Sequence, residues 1–185
     1  MRRMVCVLLC LVLLTGCSGK RDELDRFMEL RGTLLGNSGC SFDVVITADY
    51  GDKTQEFRLS CQGSSGGELT FTVAEPETIA GISGKIGETG GELTFADTAL
   101  SFPLLADGEL SPISAPWILL RTLRSGCVTA CTTEGDLLRV SADDSYENDA
   151  LHLDIWLRSD DTPVRAEITW KNMRILTLEI ENFTI

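Results

Sequence analysis

A single histidine sets a low ceiling on the chemistry open to this chain of 185 residues. Any Ser–His–Asp or Cys–His nucleophilic site has to use His152. That residue lies between Leu151 and Leu153, with no sharp nucleophile turn beside it. Its alternation with apolar neighbours puts it on the wetter side of a strand. Paired carboxylates can hydrolyse glycosides, but among 28 acidic residues some close pair is inevitable and therefore uninformative. The densest acidic loop, Asp143-Asp144-Ser145-Tyr146-Glu147-Asn148-Asp149, offers oxygens to a calcium ion. It lacks the glycine and closing glutamate of an EF-hand, which favours a solvated turn. The glycines of 63–67 and 87–91 open strands, not helices, so they lack the helix N-terminus that phosphate loops use. The expectation is a protein that is not an enzyme, with no metal and no cofactor.

Cysteines are the other reactive groups. Cys6 and Cys10 stand in the apolar run Val5 to Leu14, behind the basic start Met1-Arg2-Arg3-Met4. The run is shorter than the ~20 residues a membrane span needs, and it suits a secretory signal. Leu14-Thr15-Gly16-Cys17 closes it and resembles the bacterial lipobox. The resemblance implies that the Cys17 thiol carries diacylglycerol with palmitate-type chains and becomes the N-terminus after cleavage. An ordinary signal peptide with a cysteine near the cut is the alternative. The expected organisation is a lipoprotein signal over 1–16, the lipidated cysteine and tether over 17–20, and one domain over 21–185. The expected place is the extracytoplasmic face of the cell membrane, held by a lipid anchor.

Residues 1–16 hold two of the 16 basic residues and none of the 28 acidic ones, so the mature charge is 14 minus 28, or −14. A body this acidic repels nucleic acid and anionic headgroups. Membrane contact then has to come from the anchor or from an apolar surface.

Four cysteines remain, and an even number outside the cytoplasm suggests disulfides. Segments 40–48 and 54–61 read as a hairpin turning near Tyr50-Gly51-Asp52, with Cys40 and Cys61 almost symmetric about the turn. A cross-strand Cys40–Cys61 bridge is expected. Cys127 and Cys131 would be ~13 Å apart on one extended strand and could pair only if the chain bends. Their spacing lacks the further ligands a metal site needs.

The positioning elements follow from periodicity. Leu24, Phe27, Met28 and Leu30 have helical spacing, with acids in the first turn and Gly32, Gly36, Asn37 and Gly39 after them. From Cys40 the period is two: Phe42, Val44 and Ile46, then Phe57 and Leu59, then Leu69, Phe71 and Val73. Gly-Gly-Glu-Leu-Thr-Phe at 66–71 recurs at 90–95, two similar strands after similar turns. A second helix is expected over 111–126, capped by Ser111 or Ser114 and stopped by Gly126. Strands resume at 127–133, 136–142, 151–158, 163–171 and 173–184, the last apolar on both faces and so expected to be covered on both. The sum is an α+β chain of about ten antiparallel strands and two helices, a sheet wide enough to curl.

This order resembles the LolA-like lipoproteins. The residues that carry it are Phe71-Thr72-Val73-Ala74-Glu75-Pro76-Glu77-Thr78-Ile79-Ala80-Gly81-Ile82, then Gly91-Glu92-Leu93-Thr94-Phe95, the Ser-Pro helix, and the closing pair 163–168 and 178–183. The group includes lipoprotein carriers and mycobacterial lipid-binding lipoproteins, and the chain looks closest to clostridial spore-germination-type lipoproteins. The resemblance implies a strongly curved, unclosed half-barrel with helices across its concave face. It also implies binding of a lipid or other apolar ligand in that concavity, or a non-catalytic protein-binding scaffold or regulator of an envelope enzyme such as a spore-cortex amidase. Trp117, Leu120 and Leu123, on the second helix, either line a pocket for an acyl chain or plug the half-barrel as core. A space of a few hundred Å³ would favour the pocket. Trp156, beside His152, Asp154 and Arg158, reads as an interface anchor or as a residue covered by the first helix.

Overall fold

The period-two segments become one sheet. A computed structural model describes residues 23–49, 51, 53–95, 98–102, 105–106, 109–147, 150–171 and 173–185. The signal, Cys17 and the tether lie outside these, as do Tyr50, Asp52, Asn148 and Asp149. Eleven antiparallel strands form the sheet, one more than expected. They are β1 (Gly39–Asp49), β2 (Thr54–Ser64), β3 (Leu69–Glu75), β4 (Ser83–Gly87), β5 (Gly90–Phe95), β6 (Thr98–Phe102), β9 (Cys127–Glu134), β10 (Leu137–Asp143), β11 (His152–Leu157), β12 (Pro163–Trp170) and β13 (Met173–Thr184). Their order is β6-β5-β4-β3-β2-β1-β13-β12-β11-β10-β9, so the chain's two halves meet where β1 pairs with β13. The sheet is curved and does not close, and β6 and β9 are its edges. A separate two-stranded piece joins β7 (Leu105–Ala106) to β8 (Glu109–Leu110).

Helix α1 (Glu23–Gly36) passes through Gly32 and continues about a turn beyond it, because Leu34 adds a third inward residue to Phe27 and Leu30. Helix α2 (Ala115–Ser125) follows a 3-10 turn over Pro112–Ser114 and stops at Gly126, whose N–H donates to the Thr122 carbonyl at 2.8 Å. Neither Ser111 nor Ser114 makes the expected side-chain cap; Ser114 Oγ is buried without a partner. Both helices lie on one face. Their apolar residues and the inward residues of the strands form one core, from Val44 and Leu59 in one half to Leu153, Ile155 and Leu178 in the other. Among the described residues no helix is long and apolar enough to cross a membrane.

Two expectations fail for reasons of register. Strand β13 buries Leu176, Leu178 and Ile180 only, while Met173 is 62% exposed, so it is covered on one face. The Cys40–Cys61 bridge is not formed. Asp49 pairs with Thr54, which centres the turn one residue later than the sequence suggests and moves each partner by two. Cys40 therefore faces Gly63, Cys61 faces Phe42, and both are free thiols, diagonal to one another on the core side. Diagonal neighbours are ~7–8 Å apart, beyond ordinary disulfide reach.

Candidate functional site

The two faces of the sheet offer different chemistry. The helix-covered face is where an apolar ligand would sit, and it is filled. Trp117 is 1% exposed, Leu120 2% and Leu123 0%, and all three pack with Phe27, Leu34 and the strands. Pro116 suits the first turn of α2, where its missing N–H costs nothing. The residues after it are apolar on every side, so α2 sinks into the concavity.

Four sets of contacts hold α2 down. Trp117 Nε1 donates to the Gly67 carbonyl at 2.9 Å. Leu120 approaches β2 so closely that a Cβ on Gly63 would lie 2.4 Å from its Cδ2; only glycine fits there. Arg31 of α1 donates to the carbonyls of Leu123 and Gly126 at 2.9 and 2.8 Å, and to that of Thr122 at 3.2 Å. These carbonyls lie at the C-terminal end of α2, where that of Thr122 already accepts from Gly126 N–H, so the guanidinium adds donors there and opposes the negative dipole end. Arg124 returns the tie, reaching the carbonyls of Ser64 at 2.7 Å and Leu34 at 3.4 Å. Burial holds the Arg31 pKa below its ordinary value. An open cleft of about 470 Å³ remains at the mouth, where Trp117 and Leu120 form the inner wall and Leu35, Arg121 and Arg124 the rim.

The opposite face is polar. Trp156 stands there, away from α1, with Nε1 donating to Glu134 at 2.9 Å. The guanidiniums of Arg139 and Arg165 lie over its ring at 5.6 and 5.1 Å, a cation on each side. Arg139 grips Asp154 through two bonds of 3.0 and 2.8 Å, and Ser141 donates to the same carboxylate. Burial alone would raise the Asp154 pKa; Arg139 and Ser141 outweigh it and hold it below its usual value. The Trp156 indole, then Arg139, lower the pKa of Glu134. His152 lies beside them, Nδ1 at 2.8 Å from Asp143 and Nε2 at 3.7 Å from Asp154. The partners of its ring nitrogens are carboxylates, which places it in the charged group around Trp156.

Farther across this face, β1 to β5 and Asn182 outline a polar trough of about 620 Å³. At its floor Asp43 accepts from Ser60 at 2.7 Å and Asn182 at 2.9 Å, which lowers its pKa, Asn182 first. Cys127 and Cys131, expected to pair only through a bend, stay on edge strand β9 and are not bridged to each other despite a bulge opposite Ser141 and Ala142. Among the described residues no group of acids, cysteines and histidine has a metal-binding arrangement. Sequence reasoning missed the arginine ties. Their partners lie 60 to 95 residues away, and the only local hint is a single arginine in the last turn of α2.

No protein-family model matches the chain, and no curated protein matches it. Solved structures do. A LolA superfamily protein from Nitrosomonas europaea aligns at 10% identity over 90% of this chain and 94% of its own, with a TM-score of 0.45. The lipoprotein LppX of Mycobacterium tuberculosis aligns at 11% identity over 87% and 92%, TM-score 0.42. A Clostridioides difficile structure, the CwlD amidase in complex with the GerS lipoprotein, aligns at 9% identity over 91% and 98%, TM-score 0.45.

Proposed function

We propose that this chain is a membrane-tethered envelope lipoprotein, held through Cys17, whose domain is a non-catalytic scaffold for a partner protein. The observation that carries this is the filled concavity: Trp117, Leu119, Leu120 and Leu123 are each at most 2% exposed and continuous with the core. Side chains that occupy the concavity leave less of it for cargo, which favours the scaffold over the carrier. Trp156 supports the reading, because a tryptophan held between two arginines and a carboxylate is pre-ordered for an interface. A spore-cortex amidase is the first candidate partner, the class the sequence resemblance implies.

The test is calorimetric titration of such an amidase into the mature domain and into its Trp156→Ala variant. Binding weakened at least tenfold in a variant of unchanged thermal stability supports the scaffold. Equal binding by both removes Trp156 from the interface, and no binding by either overturns the amidase as partner.

A second reading, an acyl ligand entering under α2, is favoured by the cleft of about 470 Å³ that reaches Trp117 and Leu120. Native mass spectrometry with an organic extract of the same sample decides it. A co-purifying lipid lost on Leu120→Asp in a folded variant supports the ligand; a clean mass with no uptake of added lipid opposes it.

A further inference from the structure

The first helix carries an apolar line that the fold does not use. Leu24, Met28 and Leu35 are 43%, 47% and 57% exposed, although each is a large apolar side chain. At ~100° per residue they fall within about 40° of one another, with Arg31 about 20° to one side. The buried residues Phe27, Leu30 and Leu34 occupy a separate sector of the same helix. Asp25 and Glu29 lie about 60–140° round from the line, on the side away from that sector. The line continues off the helix. Leu24 and Met28 form one wall of a groove of about 460 Å³, whose other wall is Val128, Ala130 and Cys131 of edge strand β9, with Tyr146 at its lip. Tyr146 is 93% exposed.

The occupant is identified by the tether. Six residue steps separate Cys17 from Glu23, where α1 begins. A fully extended chain covers about 21 Å in six steps, so a lipid anchor at Cys17 holds the start of α1 within about that distance of the headgroups. We infer that the Leu24–Met28–Leu35 line, with Tyr146 beside it, rests on the bilayer that carries the anchor. Apolar side chains enter the acyl boundary, and Tyr146 lies at headgroup level, where an aromatic with a polar tip is favoured. The docking adds a second membrane contact to the anchor and fixes which way the domain faces. It rests on lipidation of Cys17.

The test uses the full lipidated protein in phosphatidylcholine vesicles containing brominated phosphatidylcholine; zwitterionic lipid is chosen because the acidic body is repelled by anionic headgroups. Met28→Trp adds a reporter on the line, and Thr33→Trp adds one on the opposite side of the helix. Each is compared with the unsubstituted protein to remove the native tryptophans. The expected result is at least twofold quenching of the added emission at position 28 and none at position 33, with quenching at 28 reduced by Leu24→Glu and Leu35→Glu together. No quenching at 28 in vesicle-bound protein overturns the docking and leaves the anchor standing. Shielding of 28 from aqueous iodide without lipid quenching also overturns it, placing a protein there instead. Failure of the chain to enter the vesicle fraction overturns the anchor, and the docking with it.

Discussion

Trp117 Nε1 and the carbonyl of Gly67 lie 2.9 Å apart, joining the helix that fills the half-barrel to the turn between β2 and β3. The indole is 1% exposed and the Gly67 end of the bond is half-buried at the cleft, so losing the bond leaves the Gly67 oxygen without this donor. Trp117→Phe keeps most of the ring and deletes the donor; it should cost about 1–3 kcal/mol. Trp117→Ala removes the ring as well and should cost about 3–5 kcal/mol. Urea unfolding of both variants checks the order.

Gly63 makes room for the same helix from the strand side, where Leu120 packs on it. An added Cβ would meet Leu120 Cδ2 at 2.4 Å and Cys40 Sγ at 2.9 Å, both side-chain atoms with little room to retreat. Gly63→Ala is expected to destabilise by about 1–3 kcal/mol, as overpacking does. Combining it with Leu120→Ala should return part of that cost, because the smaller partner vacates the space. A double-mutant cycle with no coupling between the two would show that the helix sits higher than described.

Arg31 bonds three carbonyls at the end of α2 although it belongs to α1. Arg31→Met keeps the apolar stem and removes the donors, which should cost about 1.5–3 kcal/mol, the range for hydrogen bonds to a charged group. Arg31→Lys should recover only part, since one ammonium cannot reproduce a planar fork aimed at separate oxygens. Thermal melts of the two variants distinguish lost charge from lost geometry.

The strands were legible because their burial is local. Val44 and Ile46, or Leu153 and Ile155, alternate with polar neighbours whatever lies across the sheet. Pairing is a different quantity. A turn centre misplaced by one residue separates Cys40 from Cys61, and a register shift between Ile168 and Thr169 accompanies the exposure of Met173 that the apolar pattern hides. Trp156 could be nominated from its charged neighbours, but not the arginines on either side of its ring. Arg139 and Arg165 reach it from the two flanking strands, and only register brings them together. Arg31 could not be found at all, since nothing near it in sequence marks it as a partner for α2.

Asp154 ties stability to pH. Its folded pKa lies below the usual carboxylate value, despite burial, through Arg139 and Ser141. A carboxyl lowered on folding stabilises fully above its unfolded value of ~3.9, and the contribution is lost as pH falls through the lower folded value. Asp43 works in the same direction through Asn182 and Ser60. Chemical unfolding should therefore show stability falling below about pH 4, and Asp154→Asn should be less stable at pH 7 with a shallower fall. An acid limb as steep in Asp154→Asn as in the parent would remove this carboxylate from the linkage.

The four thiols should report the register directly. Burial first, then Asp43, pushes the Cys61 thiol up, and burial does the same to Cys40. A thiol whose pKa is raised stays protonated at pH 8 and is a poor nucleophile. Cys127 and Cys131 are half-exposed on the sheet edge. Alkylation of the native domain at pH 8, followed by mass spectrometry, should modify Cys127 and Cys131 first, Cys40 more slowly, and Cys61 only after unfolding. Material recovered from an oxidising compartment should map with Cys40 and Cys61 unlinked to each other, because Cys40 faces Gly63. A Cys40–Cys61 linked peptide would require β1 and β2 to pair two residues out of the register described, or the diagonal to close. In the first case Val44 would no longer face Leu59, and hydrogen exchange along β1 would show it.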